Sequence, residues 1–143
     1  MRKCASYIIF TLLLAAIACA CSDDIDIKQD YEFQVTHLPV PKKIKKGETV
    51  EIRCQLEKSG SYANTAYKFR YFQFDGMGSL RMDGSKPFLP NDYYGLTKES
   101  FSFYYTSQSD EQAVFDIYFF NSEGNSFTLS FTFNADTGGE EEV

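Results

Sequence analysis

Four cysteines and a single histidine are the side chains of this sequence best suited to nucleophilic or metal chemistry. Cys19 and Cys21 stand one residue apart, where an apolar run ends and the polar stretch Ser22-Asp23-Asp24 begins. His37 is alone, and no cysteine pair or second histidine stands at the spacing of zinc ligands. The sequence also lacks a Gly-x-Ser-x-Gly elbow and a glycine-rich phosphate loop. It therefore predicts no catalytic residue, no metal site, no cofactor and no enzymatic activity.

The N-terminus has the three parts of a secretory signal peptide. Arg2 and Lys3 form a positive start, a nearly uninterrupted apolar stretch runs from Ile8 to Ala18, and small residues follow. This stretch is shorter than the roughly 20 apolar residues that span a bilayer. We therefore expect residues 1–20 to be a cleaved signal peptide, with an uncleaved anchor helix as the alternative.

Cys21 is the cysteine for which we expect a chemical role. The stretch Ala18-Cys19-Ala20-Cys21 resembles a bacterial lipobox, in which the cysteine is acylated and becomes the new N-terminus. Cys19 ends a competing box. We favour Cys21 because the Ser-Asp-Asp that follows it is similar to the export signal of surface lipoproteins from Bacteroidetes-type bacteria. Each buried methylene contributes about 0.8 kcal/mol, so several acyl chains would hold the protein in a bilayer permanently.

The segment after the lipobox is acidic, and so is the chain as a whole. From Cys21 to Tyr31 the sequence shows no helical period, and we expect a tether that could extend roughly 35 Å. The full chain has a net charge of −6, and loss of residues 1–20 with Arg2 and Lys3 would leave 12 basic and 20 acidic side chains. A net charge of −8 argues against nucleic acid as a partner, because such binding depends on neutralising phosphates.

Alternating apolar and polar residues predict strands along the rest of the chain. In Thr49–Glu57, the side chains of Val50, Ile52, Cys54 and Leu56 share one face, as in a strand with one buried side. We therefore expect Cys54 to be a buried small hydrophobe and not a reactive thiol. The other predicted strands are Phe33–Leu38, Tyr67–Phe74, Ser79–Met82, Ser100–Thr106, Gln112–Phe120 and Phe127–Phe133.

Short strands with turn signals between them predict an all-β fold. We expect a single immunoglobulin-like β-sandwich over residues 32–134. The Asp-Gly sequences at residues 75–78 and 83–84 are typical of hairpin turns, and calcium loops are the less favoured alternative. The basic run Lys42–Lys46 is expected to be an edge strand charged against aggregation, or else a contact for an acidic partner or anionic head groups. Residues 135–143 are expected to be a disordered acidic tail.

Outward-pointing aromatic residues are expected on two neighbouring strands. If Phe69 and Tyr71 face the core, alternate residues of their strand point outward, as do those of the strand that an immunoglobulin-like sheet places beside it. An arginine among aromatic rings is typical of protein–protein contacts. The alternative is that the segment Lys86–Lys98 folds over these residues and covers them. The predicted partner-binding surface consists of Arg70, Phe72, Phe74, Tyr118 and Phe120.

Several blocks of the sequence, in order, resemble the TraQ-type conjugal transfer proteins encoded by conjugative transposons of Bacteroidetes-type bacteria. The blocks span about residues 23–134, and they read DDIDIKQDYEF, PVPKKIKKGETVEIRCQLE, RYFQFDGMGSLRMDG, LPNDYYGL, FYYTSQ and LSFTFN. The resemblance implies a small, secreted, lipid-anchored β protein from a transfer locus. It brings no known activity and no established binding residues.

These observations together predict a non-enzymatic lipoprotein anchored to the outer membrane. We expect it to serve a conjugative transfer apparatus by contacting other envelope proteins of that apparatus. The alternative is a surface lipoprotein that binds glycans or mediates adhesion through exposed aromatic rings. An envelope hydrolase would need a nucleophile beside a base, or two facing carboxylates, and no sequence signal indicates either.

Overall fold

The computed structural model describes residues 31–60 and 64–137, and within them the chain contains strands and turns but no helix. The prediction of an all-β fold is confirmed. The predicted signal peptide, Cys21 and nearly all of the predicted tether lie outside the described residues, as do residues 138–143 of the predicted tail. The described strands are β1 (Phe33–His37), β2 (Lys43–Ile44), β3 (Thr49–Lys58), β4 (Tyr67–Asp75), β5 (Gly78–Met82), β6 (Tyr94–Leu96), β7 (Ser100–Ser107), β8 (Ala113–Asn121) and β9 (Ser126–Ala135).

Two sheets form the sandwich. The four-stranded sheet has the order β1-β3-β7-β5, and the five-stranded sheet has the order β2-β9-β8-β4-β6. Every pairing is antiparallel except that of β2 with β9. Seven strands match the ABED and CFG sheets of an immunoglobulin constant-type domain, with β1, β3, β4, β5, β7, β8 and β9 in the places of A, B, C, D, E, F and G. The order is therefore consistent with the expected immunoglobulin-like arrangement.

Alternation did not predict β6, which is too short to show it, and β2 was expected only from the basic run Lys42–Lys46. β2 pairs in parallel with the end of β9, and its Ile44 side chain is buried in the core. It lies at an edge of the five-stranded sheet, as expected for the basic run Lys42–Lys46. β6 extends the opposite edge by pairing with the first residues of β4. Both depend on partners distant in sequence, which no local pattern reports.

The core is largely aromatic. Val50, Ile52, Cys54 and Leu56 of β3 are all buried, as the alternation predicted. Inward-pointing rings of the two sheets meet with centroids 4.4–6.4 Å apart. Around Phe103 the rings meet mostly edge-to-face, and around Tyr105 they are stacked. Each buried aromatic side chain removes about 150–250 Å² from water, so these rings dominate the stability of the domain. The fully buried rings are Phe69, Phe103, Tyr105, Phe115, Phe119 and Phe133.

Residues 83–93, here called the crossing segment, connect β5 of one sheet to β6 of the other. Phe88 is the part of this segment that enters the core, where its ring centroid lies 5.2 Å from that of Phe69. The N–H of Phe88 donates to the carbonyl of Leu80 at 2.8 Å, and the Tyr71 hydroxyl donates to the carbonyl of Phe88 at 3.2 Å. One side of the sandwich is thus closed by a ring and by hydrogen bonds to both sheets.

The described chain enters at one end of the sandwich. Asn125, in the turn between β8 and β9, donates from Nδ2 to the carbonyl of Tyr31 at 2.7 Å. The ring of Phe33 packs edge-on against Tyr67 at 5.2 Å. Because β4 starts at Tyr67, it leads away from this end and carries Phe74 to the opposite one. The outer residues of β4 therefore run along the length of the domain.

Candidate functional site

The predicted partner-binding residues lie on the outer face of the five-stranded sheet. β4 and β8 are neighbouring strands, and Arg70 is directly opposite Tyr118 in their register. Phe69 and Tyr71 are buried, so alternate residues of β4 point outward as expected. The structure thus places all the predicted residues on two adjacent strands and on one side of the sheet, while their role in binding stays a prediction. We call this set the aromatic face: Arg70, Phe72, Phe74, Tyr118 and Phe120.

Arg70 is held in place by side chains of the aromatic face and of the crossing segment. Its guanidinium Cζ lies 4.4 Å from the ring centroid of Tyr118 and 5.9 Å from that of Phe120. One terminal nitrogen donates to Oδ1 of Asn91 at 2.9 Å. Among the residues that the structure describes, Nε of Arg70 has no hydrogen-bond acceptor and no carboxylate forms an ion pair with the side chain. The guanidinium is therefore fixed in one position; its Nε is buried, so only the terminal nitrogens are left to donate to a partner.

Phe74 stands at an irregularity in β4. The register between β4 and β8 shifts between Gln73, opposite Phe115, and Asp75, opposite Val114, so Phe74 is an extra residue on its strand. Such bulges redirect a side chain and end regular pairing. The Phe74 side chain is 52% exposed, and its ring meets that of Phe72 edge-on at 5.0 Å. Period-two alternation predicted the outward direction of Phe74 but could not predict the bulge.

The crossing segment covers only one end of the aromatic face. Asn91 reaches Arg70, and the ring of Tyr93 packs edge-on to Phe120 at 5.8 Å. Both contacts lie at the end nearer to the chain entry, whereas Phe74 remains more than half exposed. The alternative in which the segment Lys86–Lys98 covers the whole patch is therefore wrong for the end that carries Phe74.

Sequence reasoning missed three further residues at the aromatic face: Lys68, Asn91 and Tyr93. Lys68 lies over the ring of Tyr93 with Nζ 4.5 Å from the centroid, which extends the cationic and aromatic surface beyond Arg70. Asn91 has a φ of 68°, in the left-handed region that asparagine tolerates better than most residues. The sequence Leu89-Pro90-Asn91 was a signal for such a turn, but it could not show which strand the turn would lie against.

Tyr118 is a neutral hydrogen-bond donor within the aromatic face. Burial, and then a hydrogen bond to Asp116, raise the pKa of Tyr118 above its ordinary value, although the charge of Arg70 acts in the opposite direction. The hydroxyl donates to Oδ2 of Asp116 at 3.2 Å. The Asp116 carboxylate is thus engaged on its own strand, and the phenol carries no charge at neutral pH.

Cys54 and His37 do not form a catalytic pair, although they are opposite each other in the register of β1 and β3. The Cys54 thiol is buried and donates to the carbonyl of Ile52 at 3.6 Å, and burial raises its pKa to about 12. A thiol with this pKa supplies almost no thiolate at neutral pH. His37 is exposed, and its Nδ1 lies 2.8 Å from the Leu38 carbonyl oxygen. His37 and Cys54 both line a groove of about 670 Å³.

The Asp-Gly sequences are turns, as expected. Gly76 and Gly84 have φ values of 76° and 71°, which glycine adopts without steric cost. Over residues 31–60 and 64–137, no group of three or more His, Cys, Asp or Glu side chains is arranged to hold a metal ion. The same part of the chain contains no helix that is long and apolar enough to cross a membrane.

Comparison with known proteins identifies related chains. The family model described as TraQ conjugal transfer protein matches residues 4–136, which confirms the resemblance and extends it towards the N-terminus. No curated protein matches the chain.

Solved structures of three Bacteroides proteins are also similar. A conjugative transposon lipoprotein from Bacteroides eggerthii is 50% identical, with a TM-score of 0.69 over 73% of this chain and 99% of its own. A lipoprotein from Bacteroides thetaiotaomicron is 50% identical, with a TM-score of 0.70 over 85% and 93%. A conjugate transposon protein from Bacteroides vulgatus is 41% identical, with a TM-score of 0.67 over 85% and 98%. These proteins share the fold along nearly their whole lengths.

Proposed function

The chain belongs to the TraQ conjugal transfer protein family, and from this premise we propose that it is a non-enzymatic envelope lipoprotein that binds another protein of a conjugative transfer apparatus. The observation that carries the protein-contact part of the proposal is the aromatic face. Phe74 is exposed, Phe72 packs against it, and Arg70 on the same strand is fixed by Tyr118 and Asn91. Aromatic residues and arginine are the side chains that contribute most to protein–protein affinity.

Lipid attachment at Cys21 is the first part of the proposal, and Cys19 is the competing site. Support comes from the lipobox-like sequence and from the two Bacteroides relatives that are described as lipoproteins. Mass spectrometry of the protein from cell membranes should find a mature N-terminal peptide that begins with acylated Cys21. Cys21→Ser should release the protein from the membrane fraction, and the matched Cys19→Ser should not. A peptide that begins at Cys19, or one without acyl groups, would contradict the assignment.

Contact through the aromatic face is the second part. Chemical crosslinking followed by affinity purification from membranes of donor cells should recover one or more envelope proteins of the transfer apparatus. The double variant Phe72→Ala and Phe74→Ala should lose them, because truncation of central aromatic residues removes most of the binding free energy. Leu38→Ala is the matched control, because the Leu38 side chain is similarly exposed, at 56%, but lies at the other sheet. Its backbone N–H donates to the carbonyl of Arg53 in the four-stranded sheet. Recovery of the same proteins with both variants would contradict contact through this face.

Glycan binding by the exposed aromatic residues is the competing function. Sugar rings stack on the flat side of an aromatic ring, but Phe72 and Phe74 pack edge-on, which leaves less flat surface free. Retention of the protein on a glycan column, together with normal conjugation after deletion of the gene, would favour glycan binding over the apparatus role.

A further inference from the structure

We infer that the partner segment presents a carboxylate to Arg70 and apolar side chains to Phe72 and Phe74, so that an acidic residue is followed by apolar residues at alternating positions. This inference rests on the proposed function, since it specifies the chemistry of the partner that the aromatic face binds. Three observations support this inference: the fixed position of the Arg70 guanidinium, the charge around it, and the spacing of the outward residues on β4.

The state of Arg70 is that of a preformed anion receptor. Stacking on Tyr118 and the hydrogen bond to Asn91 hold the guanidinium in one position, so little side-chain freedom remains to be lost on binding. The planar guanidinium carries five N–H donors. The donor on Nε is buried, and the single oxygen of Asn91 does not satisfy the donors on the terminal nitrogens. Carboxylates match this donor geometry with two parallel hydrogen bonds.

The charge around Arg70 favours an acidic partner. The molecule has a net charge of −6, yet the aromatic face brings Lys68 and Arg70 together at the end covered by the crossing segment. The carboxylate nearest to them on β8, that of Asp116, accepts a hydrogen bond from Tyr118 and forms no ion pair with Arg70. An acidic segment would therefore find two cations within one short stretch of surface.

A second copy of the chain fits this face less well. In a two-fold symmetric contact the same patch meets itself, so the interface would contain Arg70 and Lys68 of both copies. Positive charges gathered in one interface oppose association. The charge distribution therefore favours a different chain with the opposite charge.

The spacing of the outward residues sets the pattern of the partner segment. Arg70 and Phe72 are two residues apart on β4, which is about 7 Å in an extended strand. Beyond them, at the bulge, the ring centroid of Phe74 lies 5.0 Å from that of Phe72. An extended segment laid along this row presents its own side chains at the same interval. An acidic residue at one position thus places the residues two and four positions away against Phe72 and Phe74.

The test uses the full chain in donor cells with p-benzoylphenylalanine in place of Phe74, the most exposed ring of the face. After irradiation, the crosslinked partner peptide is sequenced by mass spectrometry. The inference predicts a peptide with Asp or Glu within about five residues of apolar residues at alternating positions. Adding Arg70→Glu should lower the crosslink yield about tenfold or more, because reversal of a fixed charge removes the pair and adds repulsion.

The control for Arg70→Glu is Arg81→Glu. Arg81 also lies over a tyrosine, with Cζ 4.8 Å from the Tyr104 ring centroid, but on the other sheet. Arg81→Glu should leave the crosslink yield unchanged. Arg70→Gln, which removes the charge without adding an opposite one, should give an intermediate yield, and thermal unfolding of each purified variant separates lost binding from lost folding.

The outcomes distinguish this inference from the proposed function. A crosslinked partner peptide without acidic residues, a yield insensitive to Arg70→Glu in a folded variant, or adducts to lipid or to a second copy would overturn the inference. A partner peptide that is acidic but binds equally well as a synthetic peptide after Asp and Glu are changed to Asn and Gln would also overturn it. The absence of any adduct would overturn the proposed contact itself.

Discussion

The side chain of Tyr105, on β7, leaves room for only a glycine at residue 78 of the neighbouring strand β5. Its ring is fully buried, its hydroxyl accepts a hydrogen bond from Nε2 of Gln73 at 2.7 Å, and it lies directly against the backbone of Gly78. A Cβ at residue 78 would overlap the phenol, which cannot move away because it is packed on Phe115. Gly78 is thus needed for space and not for an unusual backbone angle.

Gly78→Ala should therefore lower the free energy of unfolding by about 1–3 kcal/mol, the usual cost of overpacking a core. Gly95→Ala is the matched control, because a Cβ at Gly95 meets no atom within 4 Å. Urea unfolding of both variants measures the difference. Equal effects of the two substitutions would show that the Tyr105 phenol is not confined as described.

The buried thiol of Cys54 should make stability depend on pH in the alkaline range. Burial raises its pKa from an ordinary 9.0 to about 12, so above pH 9 the unfolded chain loses a proton that the folded chain keeps. The contribution of the protonated thiol to the free energy of unfolding is fully present below pH 9. It is lost as the pH rises towards 12, at up to about 1.4 kcal/mol per pH unit.

Cys54→Ala should remove this contribution. Urea unfolding of the parent protein and the variant at about pH 8 and about pH 10 gives the comparison, and the tyrosines with raised pKa values act on both proteins alike. The parent protein should lose more stability between the two pH values than the variant. The same loss in both proteins would contradict burial of the thiol.

At the scale of elements, the crossing segment is the part whose geometry matters most for the aromatic face. Asn91 has two roles there, since its backbone is left-handed and its side chain accepts from Arg70. The two roles are separable by substitution. Glycine keeps the backbone angle without strain and removes only the acceptor, whereas alanine removes the acceptor and adds a steric cost of about 1–2 kcal/mol.

Asn91→Ala should therefore be less stable than Asn91→Gly by about 1 kcal/mol, although both lose the contact with Arg70. Chemical denaturation gives the order of the two variants. If Asn91→Gly were the less stable of the two, the left-handed angle could not be the main requirement at this position.

The strands also show how much of the fold could be predicted from the sequence alone. Alternation predicted β3 well, because Val50 to Leu56 repeat the pattern over a long strand with one face in the core. Alternation could not show β2 or β6, since each has two or three residues and pairs with a strand distant in sequence; β2 was expected only from its basic residues. The bulge at Phe74 was hidden for the same reason: it is a property of two paired strands and not of one.

For the candidate site, the outward residues of β4 and β8 were predictable once the sheet order was known. The aromatic face follows from alternation on two strands that an immunoglobulin-like sheet makes neighbours. Lys68, Asn91 and Tyr93 were not predictable, because their place depends on the path of the crossing segment between the sheets. That path is set by the insertion of Phe88 into the core, a contact without a local sequence signal.

At the scale of the whole molecule, the chain entry and the aromatic face have a defined relation. The described chain starts at Tyr31, held by Asn125 at one end of the sandwich, and the face extends along β4 to Phe74 at the other end. In a domain anchored at Cys21, as proposed, the attachment would precede the chain entry, and Phe74 lies at the opposite end of the sandwich.

The frequency of conjugative transfer from donor cells tests the central claim most directly. With Phe72→Ala and Phe74→Ala combined, transfer should fall about tenfold or more, because the exposed Phe74 ring and the half-buried Phe72 ring supply the binding free energy of the proposed contact. Leu38→Ala should leave it unchanged, and immunoblots of membranes together with thermal unfolding should show equal amounts of equally stable protein. Transfer at the parental frequency in donors that carry the double variant would contradict the claim that the aromatic face binds the transfer apparatus.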